Sequence, residues 1–204
     1  MKLYYAPAAC SLAVHIALRE AGLDPQLVKV DLETHRTAGG ADYLDVNPRG
    51  YVPLLELDDG SRHTEVAALL QYVGDLAPAS GLMPAFGTPA RFEVTKWLAF
   101  VSSELHKVFS PWLWHKETAD STRKACKDKL GSRFAGLDRH LAAGMYLAGG
   151  PFTAADAYCF TIVNWAPMLG ISLKPYPQLR EYLSRVAARP RVQEALAKEG
   201  LARP

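Results

Sequence analysis

Strand signals stop before the chain is half read, and this division constrains the fold more than any other feature of the 204-residue sequence. Residues 2–5 are a short apolar, aromatic run closed by Ala6-Pro7, which reads as a buried first strand. Residues 11–20 carry Leu12, Val14, Ile16, Ala17 and Leu18 in a helix-forming stretch that Gly22 closes. Residues 26–32 alternate as a second strand, and a polar loop with Gly39-Gly40 follows. The apolar run 53–57, the turn Asp58-Asp59-Gly60 and the short return 61–64 then signal a β-hairpin. A helix over 65–76 completes a strand, helix, strand, loop, hairpin, helix unit, buried through Ala67, Leu69, Leu70, Tyr72 and Val73.

Residues 77–89 hold Pro78, Gly81, Pro84, Gly87 and Pro89, the composition of a connection. Beyond it no stretch reads as a strand, and residues 91–110, 119–143, 153–169, 176–188 and 191–199 read as helices. Thr153-Ala154-Ala155-Asp156 has the spacing of a capping box, in which a threonine oxygen and an acid satisfy free N–H groups at a helix start. The expected organisation is an α/β domain over 1–77, a linker over 78–89 and an all-α domain over 90–204.

Charge and cysteine content narrow the function classes. A formal net charge of +2 predicts neither nucleic-acid nor anionic-membrane binding. Arg123, Lys124, Lys127 and Lys129 cluster, but with Asp120 and Asp128 they suit the solvated face of a helix. No run approaches the roughly 18 apolar residues of a membrane span, and Met1-Lys2-Leu3-Tyr4-Tyr5 does not read as a secretory leader. Cys10, Cys126 and Cys159 form no CxxC and no metal-ligand spacing, so a reducing, cytoplasmic setting without a metal is expected.

Four places can carry chemistry. Cys10 lies between the first strand and the first helix, where unpaired N–H groups and the helix dipole favour an anion and hence a thiolate. The alternative is a small cysteine that only packs, the reading given to Cys126 and Cys159. Tyr51-Val52-Pro53 puts a proline at a strand entry, and a cis bond there would turn the Val52 backbone groups outward. Glu65, at a helix start, either satisfies the dipole or takes the ammonium of a small zwitterion whose carboxylate meets the neighbouring amides. Ser103, His106 and Lys107, at i, i+3 and i+4, are expected to share one face, either solvated or turned to a ligand with His106 as hydrogen-bond donor or base.

Taken together these residues resemble the beta class of bacterial glutathione transferases over essentially the whole chain. The resemblance is carried by Ala9-Cys10-Ser11-Leu12, Asn47-Pro48-Arg49-Gly50-Tyr51-Val52-Pro53-Leu54, Thr64-Glu65, Glu104-Leu105-His106-Lys107 and Phe152-Thr153-Ala154-Ala155-Asp156. It implies a thioredoxin-like α/β domain with Pro53 in cis, followed by an all-α domain. It also implies glutathione as co-substrate, small hydrophobic electrophiles as second substrates, and a homodimer. Carried over to this chain, Val52 pairs its backbone with the cysteinyl part of glutathione, Glu65 and the Val66 amide hold the γ-glutamyl end, and His35 lies near the glycine carboxylate. Cys10 lies beside the glutathione sulfur, Ser103, His106 and Lys107 reach the ligand from the helical domain, and Glu104 approaches the partner's site. Thr153 and Asp156 belong to folding. The family usually has serine or glycine after the acid, whereas Val66 adds a β-branched side chain and removes a hydroxyl.

Three functions follow as expectations. The first is conjugation by a glutathione thiolate. The second is thiol–disulfide exchange through Cys10, by a one-cysteine route. The third, which Val66 favours, is a binding protein without turnover. Phe109, Trp112, Trp114 and Trp165 suit either the wall of an electrophile site or the core.

Overall fold

A computed structural model describes residues 1–201, which fall into two units. The first comprises Met1–Leu82 and the segment from Arg189 onward. Its sheet runs β3-β2-β1-β4-β5, with β1 at Lys2–Tyr5, β2 at Gln26–Asp31, β3 at Arg36–Thr37, β4 at Leu54–Glu56 and β5 at Arg62–His63. β1 pairs in parallel with β2 and antiparallel with β4, and β4 and β5 form the expected hairpin. Gly60, at φ +83°, supplies the left-handed residue its turn requires. β3 lies where a loop was expected and is held antiparallel to Val30 and Asp31.

The helix α1, Ser11–Glu20, buries every residue from Ser11 to Leu18, and α2, Val66–Leu76, packs beside it. Val66, Leu69, Leu70 and Val73 form the buried stripe of α2 at helical spacing. This arrangement, a mixed sheet with α1 and α2, is the thioredoxin-like domain expected.

The second unit, Met83–Ala188, is helical throughout its regular structure. α3, Pro89–Phe100, runs directly into a π-helical segment, Val101–His106, and a last turn, α4, Lys107–Phe109. A connection leads to α5, Asp120–Leu141. α6, Ala154–Val163, is buried along its entire length, and α3, α8 and the π segment pack on it. The helix expected over 153–169 is broken at Asn164, with α7, Trp165–Met168, after it. α8 spans Pro177–Ala187. The capping box at Thr153 and Asp156 is formed.

The last helix, α9, Pro190–Lys198, groups with the first unit rather than with the helical domain expected to run to 204. It packs on α1. Arg189 meets Glu20 through two bonds of 2.6 and 2.8 Å, and Arg19 meets Glu194 at 2.8 Å. The stripe Val192 and Ala195 faces inward. The charge cluster on α5 also divides: Lys124 pairs with Asp128 as a solvated face should, whereas Arg123 turns away from solvent charge onto main-chain carbonyls.

Candidate functional site

The first unit gathers its predicted site residues around one turn, residues 47–53. Asn47 Nδ2 and the Tyr43 hydroxyl both donate to the Tyr51 carbonyl, at 2.8 and 2.7 Å, and so fix the entry to β4. Burial pushes the Tyr43 phenol up to about 12, so it remains a protonated donor at neutral pH. The Val52–Pro53 bond is cis. Val52 stands before the start of β4, and its carbonyl accepts from the Cys10 thiol at 3.2 Å. Cys10 is itself the N-terminal flanking residue of α1. The thiol and the Val52 backbone, 42 positions apart, thus meet at a helix start where backbone N–H groups favour negative charge.

Gly50 ties His35 to the same turn. It adopts φ +68°, and a Cβ there would lie 2.6 Å from His35 Cε1 and 2.9 Å from Nδ1. His35 is itself in the left-handed region at φ +52°, with Nδ1 buried and lacking a hydrogen-bond partner among the described residues. Gly50→Ala is therefore expected to expel the imidazole besides costing about 1–2 kcal/mol of left-handed strain. The His35 ring resonances of Gly50→Ala should shift in an NMR spectrum as the imidazole leaves its buried seat against the turn. Unchanged ring resonances would mean that the turn, not the imidazole, gives way.

Arg49, in the same turn, lies 3.8 Å from Glu65, with both side chains largely exposed. Such a pair adds little to stability. Glu65 nevertheless holds φ +70° immediately before α2, a conformation that costs a non-glycine residue about 1 kcal/mol or more. Val66 sends its side chain into the core, so the bulk that distinguishes it from serine or glycine is absorbed by packing. Arg49 received no role from the sequence, since its only signal was a basic residue inside a turn motif.

In the helical unit the expectation of one shared face is corrected. The wider turn of the π segment keeps fourth neighbours aligned and swings third neighbours apart. Ser103 and Lys107 are exposed and line one surface depression with Val108, Trp112, Cys126 and Lys129. His106 instead points into the unit, its Nδ1 2.7 Å from the Tyr158 hydroxyl and its ring edge-on to Trp165 at 5.2 Å. Glu104 is held by Arg133 at 2.6 Å and Lys129 at 3.3 Å, which keep its carboxyl below the ordinary range. It borders a groove between α3 and α5 lined also by Trp97, Phe100 and Arg139. Tyr158 and Trp165 could not be assigned to His106 from sequence, because 52 and 59 positions separate them and both look like core.

Burial, with a smaller contribution from Lys107, depresses the His106 imidazole to about 4. The ring is neutral at pH 7. Between about 4 and its ordinary 6.5 the unfolded chain binds the proton more readily, so this contribution to stability is lost as pH falls through that window. An NMR titration of the ring should find its midpoint near 4. A midpoint of about 6.5 would remove the desolvated environment claimed for it.

Among the described residues no helix is long and apolar enough to cross a membrane, and no group of three His, Cys, Asp or Glu side chains is arranged to hold a metal ion.

Residues 9–76 match the glutathione S-transferase N-terminal domain and residues 100–190 the glutathione S-transferase C-terminal domain. Glutathione S-transferase GstA of Escherichia coli O157:H7 is 40% identical over 98% of this chain and 100% of its own. The chain belongs to the glutathione S-transferase family. Its likeness extends to the solved structure of a bacterial beta-class glutathione S-transferase from Sphingomonas chungbukensis, 42% identical with a TM-score of 0.94 over 99% of this chain and 100% of that one. A sphingomonad glutathione S-transferase complexed with glutathione superposes equally well, at 45% identity and a TM-score of 0.94, with 99% and 100% covered. Among such transferases the present chain keeps the thioredoxin-like and helical domains, and it is a transferase.

Proposed function

We propose that this transferase conjugates glutathione to small apolar electrophiles, a detoxifying reaction of the cytoplasm carried out by a homodimer. The Cys10 thiol against the Val52 carbonyl carries the reading. A peptide thiol that pairs in extended form with the Val52 backbone sets its sulfur beside Cys10, at the start of α1. In this assignment the Glu65 carboxylate takes the γ-glutamyl ammonium, the Val66 amide and Arg49 face its carboxylate, and His35 faces the glycine carboxylate. Ser103, neutral His106 and Lys107 serve the same reaction as hydrogen-bond partners and local positive charge. Glu104, at the groove between α3 and α5, is assigned to contact with the partner subunit. The glutathione held by the sphingomonad relative supports this ligand class.

With chlorodinitrobenzene, the thiol proton passes to solvent, the thiolate forms the C–S bond, and chloride leaves as the C–Cl bond breaks. Holding both reactants supplies the proximity term, and the site lowers the cost of the thiolate. Purified protein should exceed the uncatalysed rate by orders of magnitude. A rate equal to the blank would reject conjugation.

The same Cys10 position favours a second reading, thiol–disulfide exchange. A Cys10 thiolate attacks a glutathione disulfide, displaces one thiolate, and a second glutathione resolves the mixed disulfide. Cys10→Ala should abolish exchange and leave conjugation within about tenfold of wild type. Exchange that survives the substitution removes Cys10 from the mechanism.

A further inference from the structure

Arg123 sits in the first two turns of α5, in a basic stretch that reads as solvated. Its guanidinium instead gathers the carbonyls of the connection between α4 and α5. Nε donates to Thr118 O at 3.0 Å, Nη1 to Leu113 O at 3.3 Å, and Nη2 to His115 O and to Lys116 O, the latter at 3.3 Å. The connection contains no long helix or strand to satisfy these carbonyls. A planar group with five donors and a permanent charge can serve four acceptors at once, and a lysine ammonium cannot span them.

The tethered segment carries two indoles. Leu113, buried, lies between Trp112 and Trp114, and its carbonyl is one of the four that Arg123 holds. Trp112 is 49% exposed and borders the depression that contains Ser103 and Lys107. Trp114 is 43% exposed and stands edge-on to Trp165 at 5.7 Å, and Trp165 in turn meets His106. One loop therefore delivers an aromatic surface to each of the two places where the helical unit keeps its candidate functional groups. Large half-exposed aromatics held in a fixed backbone are a binding surface more than a core.

We infer that Arg123 is a positioning residue for the electrophilic substrate: by clamping residues 113–118 it fixes Trp114, edge-on to Trp165, as a stacking surface for electron-poor aromatic rings. The inference rests on the conjugation reading for the identity of that ligand. An electron-rich indole face suits a ring depleted by nitro or halogen substituents.

The test uses Arg123→Lys, which keeps the charge and loses the fork, Arg123→Gln, and Trp114→Leu, which leaves the main-chain clamp in place. Chlorodinitrobenzene quenching of tryptophan fluorescence, without glutathione, gives an affinity that needs no turnover. All three variants are expected to weaken it about tenfold, and KM for chlorodinitrobenzene should rise in parallel while KM for glutathione stays within about twofold. A wild-type protein that binds the ring but does not conjugate it would sink the conjugation reading, yet the quenching series would still judge the clamp. The inference is overturned if the Arg123 variants melt earlier but retain wild-type affinity for the ring, since Arg123 would then be a structural tie alone. It is equally overturned if Trp114→Leu binds normally or if wild type shows no quenching. Should neither Arg123 variant fold, Trp114→Leu decides.

Discussion

Asp156→Ala is expected to yield little or no folded protein at 37 °C. The Asp156 carboxylate is fully buried at the start of α6 and accepts from Leu147 N at 3.0 Å, Thr153 N at 2.9 Å, Thr153 Oγ1 at 3.1 Å and the Tyr182 hydroxyl at 3.1 Å. Two of these donors are backbone groups of the preceding loop, and the Tyr182 ring is buried as well. Removing the carboxylate takes the acceptor from both backbone N–H groups and from the Thr153 hydroxyl, at about 1–3 kcal/mol for each buried donor left unmade, while the Tyr182 hydroxyl keeps only the Asp156 main-chain carbonyl at 3.3 Å. That is a large share of the roughly 5–15 kcal/mol by which a domain is stable. The damage concentrates where α6 begins, and α6 is the helix on which α3 and α8 pack.

Asp156→Asn is expected to fall between wild type and alanine. Its amide oxygen still accepts, while its NH2 group faces donors where an acceptor is needed. Soluble yield, far-UV circular dichroism and urea midpoints rank the three proteins. An alanine variant whose unfolding free energy lies within about 1 kcal/mol of wild type would mean that the network contributes no more than an average single contact.

Much of the fold was legible because both units announce their period. The alternating and apolar runs of the first 64 residues became β1, β2, β4 and β5, and α1 begins and ends at the residues expected. What escaped is physically specific. β3 has two residues, too few to carry an alternation, and exists because Val30 and Asp31 offer it an antiparallel edge. The π segment leaves apolar spacing nearly unchanged while turning His106 away from Ser103 and Lys107, so periodicity could not reveal it. Arg123 was misread because a helical position does not say whether a long cation meets water or a loop folded back beside it.

The candidate site was legible by type more than by assembly. Cys10, Val52 and Pro53 stood out individually, and the structure joins the first two by a hydrogen bond. That Gly50 seats His35, or that Arg49 neighbours Glu65, depends on how one turn folds in space. No spacing rule covers such contacts.

The home of α9 illustrates the same limit and leads to the second large effect, expected for Glu199→Ala. Val192 and Ala195 predict that one face of this helix is buried but not against what. The deciding residue is Glu199, beyond its last turn. Its Oε1 lies 2.9 Å from His15 Nδ1 on α1, with side-chain exposures of 0% and 1%, and its Oε2 accepts from Ala8 N at 3.4 Å. Burial raises the Glu199 carboxyl, and the contact with His15 opposes that rise. Truncating Glu199 takes the hydrogen-bond partner from the buried His15 Nδ1, at about 1–3 kcal/mol for a buried polar group left unmade, and leaves a void where the side chain was. Glu199→Gln should lose about 1–2 kcal/mol, since the amide oxygen can still meet His15 while the NH2 group confronts Ala8 N.

The loss should also be local. Ala8 holds φ +61° two residues before Cys10, so releasing its N–H loosens the loop that carries the thiol. Hydrogen exchange in Glu199→Ala should therefore accelerate along α1 and the Cys10 loop while α6, in the other unit, keeps wild-type protection. Uniform acceleration through both units would show that Glu199 acts on global stability alone, and unchanged exchange at α1 would mean that the His15 pair does not fasten α9 at all.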